Sequence, residues 1–272
     1  MGADIKSLRL RIKSVGSTMH LTKAMQLVAA SKIRRSSEAM AHGRDYAAAL
    51  TQAVSMLGAA PECAKSPYRQ VRDGGRLRLV VIAGDRGLAG GYNANIFRAI
   101  RDYQAEHPET DVTVIPIGKR ACDRYGDGFA SSEHFSADEA GALAKTLCED
   151  FVNGAYDRLT ILYTHYESMM TQTPAWQEVL PLQAPEKGGP CVLFEPDELT
   201  ILRTAVPLYV AGIITACVRE SFACEVAARR MAMDSAGKNA QMMIDDLQLA
   251  YNRARQGAIT QEITEIVAGS GA

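Results

Sequence analysis

The stretch of this chain that comes nearest to a binding motif is Gly84-Asp85-Arg86-Gly87-Leu88-Ala89-Gly90-Gly91. It follows the apolar run Leu77–Ala83 (LRLVVIA) and precedes a segment of helical pattern, Ala94–Glu106. The turn from a strand into a helix is where α/β folds hold phosphates on backbone amides. The spacing does not suit that task. It is neither GxGxxG nor GxxxxGK followed by Ser or Thr, and it lacks the Lys and hydroxyl that hold phosphates and Mg²⁺. The loop therefore reads mainly as a structural or partner-contacting turn, with Asp85 and Arg86 tethering it or meeting a neighbour. Nucleotide binding is the lesser alternative.

Other candidate chemistry is sparse. The five histidines, His20, His42, His107, His134 and His165, are scattered with neither an HExxH spacing nor a Ser/His/Asp order. The six cysteines form no CxxC pair, so a zinc site is unsupported. Cys217 and Cys224 would share a helix face at about 10 Å, too far apart to bridge, so all six read as reduced thiols.

The elements that must position these residues are unusual. Ile5 to Leu57 contains no proline, and neither does Leu208 to Val267. As helices these segments would extend about 80 and 90 Å, against about 40 Å for a compact domain of this size. They are expected to project and to cover each other. A 3,4 spacing supports this: Ile5, Leu8, Ile12, Val15, Met19, Thr22, Gln26, Ala29, Ile33, Ser36, Met40, Gly43, Ala47, Leu50, Val54 and Leu57 form a coiled-coil seam. The polar or small members fall between Thr22 and Gly43, where the partner helix must approach closely or the packing must loosen. The C-terminal seam runs through Val226, Met233, Ala240, Ile244, Leu247, Tyr251, Ala254 and Ala258, then Ile259, Ile263 and Ile266.

Between the rods the period changes. Leu77–Ala83, Val112–Ile117 and Leu159–Thr164 read as strands; Ala94–Glu106, Lys119–Tyr125 and Ser136–Asn153 read as helices, the last with Ser136 as its N-cap. This alternation predicts a doubly wound α/β sheet. Trp176–Leu182 and Val192–Phe194 read as an antiparallel edge hairpin joined by the turn-rich residues 185–190. Pro196 and Asp197 open a helical turn, and Pro207 either kinks the last helix or begins it.

A net charge of −1 hides an asymmetry: residues 1–44 carry nine Lys or Arg against Asp4 and Glu38, while 127–150 is acidic. A basic arm implies an acidic partner, whether nucleic acid, membrane surface or protein loop. The arm has no interleaved aromatics before Tyr46, which weakens the nucleic-acid reading. No run of 18 apolar residues predicts a membrane span, and the first residues carry no secretory signal.

The VAASK stretch at Val28–Lys32, the GDRGLAGG loop and the segment Ala250–Val267 (AYNRARQGAITQEITEIV) resemble, together and from end to end, the gamma subunit of F-type ATP synthases. The chain departs from that family's common pattern at Ala89 and Tyr92, and at Ala211, Gly212 and Thr215. The resemblance implies an α/β chain: a long antiparallel coiled coil of the N- and C-terminal helices (1–58 and 207–268) plus a central Rossmann-like domain (76–195). It implies a non-catalytic rotor shaft that needs no cofactor. The expected partners are the alpha and beta subunits of the catalytic ring, the epsilon subunit and the membrane c-ring, with no nucleic acid and no direct membrane insertion. The expected location is peripheral, on the cytoplasmic face of a bacterial inner membrane. The resemblance also implies beta-subunit contacts at Lys23, Met25, Arg34, Arg35, Arg255, Gln256, Thr260 and Glu262, and a contact loop at Asp85, Arg86, Gly87, Gly90 and Gly91. The runner-up is a basic coiled-coil scaffold or nucleic-acid binder.

Overall fold

The computed structural model describes residues 2–72, 74–183 and 195–270. The expected strand at Val192–Phe194, the turn before it and Cys191 lie outside the described residues. In chain order the elements are α1 (Gly2–Gly58), β1 (Arg76–Ile82), α2 (Tyr92–Glu106), β2 (Asp111–Ile117), α3 (Lys119–Tyr125), α4 (Ala137–Val152), β3 (Arg158–Tyr166), β4 (Gln172–Leu180) and α5 (Glu198–Ser270). They divide into two compact units: a helical unit of residues up to Ala30 and from Arg229 onward, and a central unit, Ser31–Ala228. Both long helices contribute to both units.

In the central unit the sheet order is β2-β1-β3-β4, with β1 parallel to β2 and β3, and β4 antiparallel to β3. The strands carry near-continuous apolar runs because both faces are covered. Leu77, Leu79, Val81 and Leu162 pack on Ile96 and Ile100 of α2. Val80, Ile82, Leu159 and Ile161 face the larger core, with Leu147 and Phe151 of α4, Val54 and Leu57 of α1, and Val210, Ile214 and Val218 of α5. Helix α4 starts in a capping box: the Ser136 hydroxyl accepts from the Glu139 amide, and the Glu139 carboxylate accepts from the Ser136 amide. After α1 the chain makes two 3₁₀ turns, Pro61–Lys65 and Pro67–Arg69, through which Cys63 and Tyr68 reach into the core.

The structure decides between the two roles left open for Pro207 and shifts one strand boundary. The last helix begins at Glu198, nine residues before Pro207, which sits inside it. Asp197 provides the start by accepting from the Thr200 amide at 2.8 Å, and the core contacts of Leu202 and Val206 hold the first turns where proline alone suggested a boundary. Strand β4 begins at Gln172, four residues early, since pairing with Tyr166 and His165 of β3 extends it through Pro174 on the sheet edge.

The central-unit helices run antiparallel. Gly43 lies against Ala216, and Gly212 against Tyr46 and Leu50, so one partner number falls as the other rises. A Cβ on Gly43 would be 3.4 Å from the Ala216 backbone, so the polar middle of the seam is a close approach rather than a loosening. The helical unit repeats the geometry: Thr22 lies beside Gly237, and the Gln26 amide donates to Asp234 at 2.9 Å. The expected α1 seam positions are the covered ones along the helix. Polar members satisfy themselves: the Thr22 hydroxyl donates to the Met19 carbonyl and the Ser36 hydroxyl to that of Ile33.

The expected seam at Ile259, Ile263 and Ile266 is corrected as well. These side chains are exposed, because the covered stripe of α5 ends at Ala258. Helix α5 also holds an 18-residue window with mean hydropathy 1.8, long and apolar enough for a membrane span. Of that window, 56% is buried, as expected of a helix whose apolar residues build the core of a folded unit.

Candidate functional site

The loop after β1 is built around Asp85. Its carboxylate accepts from the Ser131 hydroxyl at 2.7 Å and from the amides of Ser132 (2.7 Å), Glu133 (3.1 Å) and Lys119 (3.2 Å). Burial alone would raise its pKa; the Ser132 amide, the Ser131 hydroxyl and the Glu133 and Lys119 amides outweigh that and hold Asp85 below the ordinary carboxylate range. Asn93, at the head of α2, closes the loop from the other side. It accepts from the Gly84 amide at 2.9 Å and donates to the Arg86 carbonyl at 3.4 Å. Gly118, at φ +96°, permits the crossing of chains beneath: a Cβ there would sit 2.0 Å from the Ala83 carbonyl oxygen.

Clamped in this way, the loop presents its tip outward. Leu88 is 62% exposed and held at φ 62°, a conformation uncommon for a side chain of this kind. Such a conformation persists only where the surroundings enforce it. Arg86, Gly90 and Gly91 are exposed, Gly87 is half-buried, and Ala89 faces the core.

The loop has little room for a phosphate. Glu225 of α5 lies against Gly84, where a Cβ would be 2.7 Å from the Glu225 carboxyl carbon, and the Arg86 amide donates to Glu225 Oε1 at 3.3 Å. A donor that would face a ligand phosphate in a nucleotide-binding fold faces a carboxylate of the same chain. Tyr92, one of the departures from the family pattern, donates to the Ser221 carbonyl at 2.9 Å and fixes α5 in that position.

Sequence reasoning missed three residues here. Glu133 pairs with Lys32 of α1 and lies 4.0 Å from Arg86. Glu220 and Glu225 are buried on α5. The available signal for the last two was a pair of carboxylates inside a mostly apolar stretch, residues 206–227.

The other expected contact residues fall in separate places. In the central unit Arg34 and Arg35 are exposed; Arg34 pairs along its own helix, with Glu38 at 3.1 Å. In the helical unit Lys23 is exposed and Met25 half-buried, while Arg255, Gln256, Thr260 and Glu262 are exposed. The Thr260 hydroxyl donates to the Gln256 carbonyl. Among the described residues, Lys23, Arg35, Arg255 and Glu262 make no ion pair. The structure does not bring the two helical-unit groups together. Thr22 lies beside Gly237, which is 18 residues, or about 27 Å of helix, from Arg255. The arrangement offers cations and hydrogen-bond donors on the surface; of these, Arg35 also lines a cavity of about 440 Å³ with Lys32, Glu133 and Phe222.

Comparison with known proteins agrees with this pattern along the whole chain. The family model described as ATP synthase matches residues 4–272. An ATP synthase gamma chain of Desulforamulus reducens is 37% identical, covering 99% of each chain, and one of Ruminococcus albus is 37% identical, covering 98% of each. Among solved structures, a chain of the Euglena gracilis mitochondrial ATP synthase (OSCP/F1/c-ring) superposes with a TM-score of 0.67 at 20% identity, covering 100% of this chain and 95% of that one. A chain of the Tetrahymena thermophila mitochondrial ATP synthase central stalk/c-ring gives 0.64 at 22% identity, covering 79% and 99%. A paired-helix fold with outward cations, a closed-off phosphate loop and relatives matched over nearly their full length leads to one assignment: the chain belongs to the ATP synthase gamma chain family.

Proposed function

We propose that this chain is the central rotor shaft of a proton-translocating F-type ATP synthase. It has no catalytic role of its own and couples ion flow through the membrane ring to ATP synthesis or hydrolysis at beta-subunit sites. The observation that carries this reading is the full-length match to gamma chains at 37% identity. The antiparallel helices that leave basic and apolar residues uncovered support it.

The work of such a subunit is population shift. A shaft without symmetry inside a three-fold ring presents a different face to each catalytic site and so favours a different conformation at each. Swinging one two-state site from 1:99 to 99:1 takes about 5.5 kcal/mol of differential contact. Two or three charge-assisted hydrogen bonds of about 1.5–3 kcal/mol each supply that. The contacts assigned to this task are Lys23, Met25, Arg34, Arg35, Arg255, Gln256, Thr260 and Glu262, with the loop Asp85, Arg86, Gly87, Gly90 and Gly91 as a further surface. Asp85 serves from within by holding the loop, and Arg86, Gly90 and Gly91 lie outward. The partners are alpha and beta subunits, an epsilon subunit and a membrane c-ring. The exposed Ile259, Ile263, Ile266 and Val267 suit a smooth apolar sleeve around the end of α5. The place of work is the cytoplasmic face of a bacterial plasma membrane, a reading supported by the bacterial sources of the matched gamma chains.

The test is the double variant Arg255→Ala with Gln256→Ala in the assembled complex. ATP turnover should fall while the amount of assembled complex stays at the wild-type level. Normal hydrolysis with full proton pumping would overturn the assignment of these contacts. A wild-type chain that fails to co-purify with alpha- and beta-type subunits would overturn the functional reading itself.

A further inference from the structure

Four buried residues of α5, Glu220, Ser221, Cys224 and Glu225, lie on one face of the helix, at i, i+1, i+4 and i+5. This face meets the carboxyl ends of β1 and β3. Glu220 Oε1 accepts from the Tyr166 amide at 2.9 Å and lies 2.7 Å from His165 Nδ1. Arg44 of α1 grips the same carboxylate with both arms of its guanidinium, Nε to Oε2 at 3.0 Å and Nη2 to Oε1 at 2.8 Å; Nη2 also donates to the Tyr166 carbonyl at 2.8 Å. At the next residue the Thr164 amide donates to the Ser221 hydroxyl at 3.1 Å, and one turn along Cys224 Sγ lies 3.4 Å from the Thr164 carbonyl. All of these residues belong to the central unit.

Apolar packing resists separation but is non-directional, so a helix held only by it can roll about its own axis. Hydrogen bonds are directional and weaken steeply when bent, and an Arg–carboxylate fork fixes orientation as well as distance. A bond that resists rolling must reach from the helix surface to something that does not roll with it. Glu220 provides that by joining α5 to the backbone of β3 and to α1 at one carboxylate. We propose that the Glu220–Arg44–His165 cluster is the joint that transmits torque from the α/β sheet to the two long helices, with Glu220 as its central positioning residue. The inference rests on the rotor reading above. It assigns to these three side chains a mechanical role beyond holding the fold.

The test uses the assembled membrane complex with the full chain carrying Glu220→Gln or Arg44→Lys. ATP hydrolysis and ATP-driven proton pumping are measured per assembled complex. The Gln variant keeps the volume and an acceptor but loses the charge; the Lys variant keeps the charge but loses the fork. Pumping per ATP hydrolysed should fall by about twofold or more, since a looser joint slips under load, while hydrolysis per complex stays near wild type. A purely structural role would lower the amount of complex and leave the ratio intact. An unchanged ratio in both variants at full assembly overturns the proposal. Should these variants not assemble, His165→Asn removes only one arm of the cluster, and an unchanged ratio there overturns it as well. A wild-type chain that gives no coupled complex strikes instead at the rotor reading, so the two failures are distinguishable.

Discussion

The same two helices are held in two different ways. In the helical unit a single stripe of α1 is covered, and several stripe members are half-buried; Leu10, Leu21 and Leu27 on other faces are exposed. In the central unit α5 is buried on most sides from Val206 to Ala227 and is tied to β3 by the Tyr166 amide on Glu220 and the Thr164 amide on Ser221, and to α1 by Arg44. The first arrangement leaves surface for other chains to read, and the second leaves almost none. A rotor needs both: a part whose faces differ to outside partners, and a part that cannot turn against its own sheet.

Substitutions can break or sharpen this contrast, and hydrogen exchange resolved by segment is the natural measurement, because the units can open separately. The largest difference is expected from a paired truncation. Ile214→Ala, in the fully buried core of the central unit, should cost about 3–4 kcal/mol, whereas Ile12→Ala on the half-covered stripe should cost about 1–2 kcal/mol. Equal losses of protection would mean that the helical unit is packed as tightly as the central one.

Glu220→Ala comes next. It leaves Arg44 without its carboxylate and the Tyr166 amide without its acceptor, but the Arg44 side chain is 40% exposed, so water compensates in part. The expected cost is about 2 kcal/mol, below the range for a fully buried pair. Exchange should accelerate at Tyr166 and leave amides near Thr22 untouched. Acceleration spread evenly over both units would contradict a local anchor.

Acid should act on the units unequally. Burial alone would raise Glu220; the Arg44 hydrogen bonds, the Tyr166 amide and the nearby charges of Arg44 and His165 outweigh it and hold its carboxyl below the usual range. Asp85 is depressed by its amide and hydroxyl donors, and Asp157 is depressed chiefly by its hydrogen bonds from Arg76. A carboxylate with a lowered folded pKa contributes stability that is complete above its unfolded value, about 3.9–4.3, and is lost as pH falls through the folded value. All three lie in the central unit. Protection there should therefore decline from about pH 4 downward. In the helical unit the depressed Asp234 owes its shift mainly to Lys238, an exposed partner one turn along the same helix, and such a local pair contributes little to tertiary stability. Simultaneous acid melting of both units would remove the distinction.

The smallest effect is at Gly43. One methyl fits at ordinary contact distance, 3.4 Å from Ala216, so Gly43→Ala should be neutral or stabilising by about 0.5–1 kcal/mol as the helix loses a flexible residue. Gly43→Leu should instead cost about 2 kcal/mol by forcing the helices apart. A thermal melt of the assembled complex separates the two outcomes.

How much of this was legible follows from the distance over which each feature is set. The α1 seam was readable residue by residue because a helix repeats every 3.6 residues and a covered stripe needs only local spacing. The cap at Ser136 was readable for the same reason, since Ser136 and Glu139 are one turn apart. The sequence leaves open whether Pro207 lies inside α5 or begins it, because proline disfavours a helix interior by local rules, whereas Leu202 and Val206 are held by partners far away in sequence. Ile259, Ile263 and Ile266 keep the seam spacing yet stay uncovered, because periodicity says which face is apolar and not where the partner helix ends.

The sequence by itself therefore determined the periodic elements, the charge asymmetry and the family, each carried by short spacings along the chain. The tertiary structure alone decided which loop amide meets Glu225, which carboxylate receives Arg44, and which cations remain outward. The two pairings join residues more than a hundred positions apart, brought into hydrogen-bond contact by folding of the sheet and helices, as Arg44 and Glu220 are at 2.8 Å, and no local pattern encodes such a pairing.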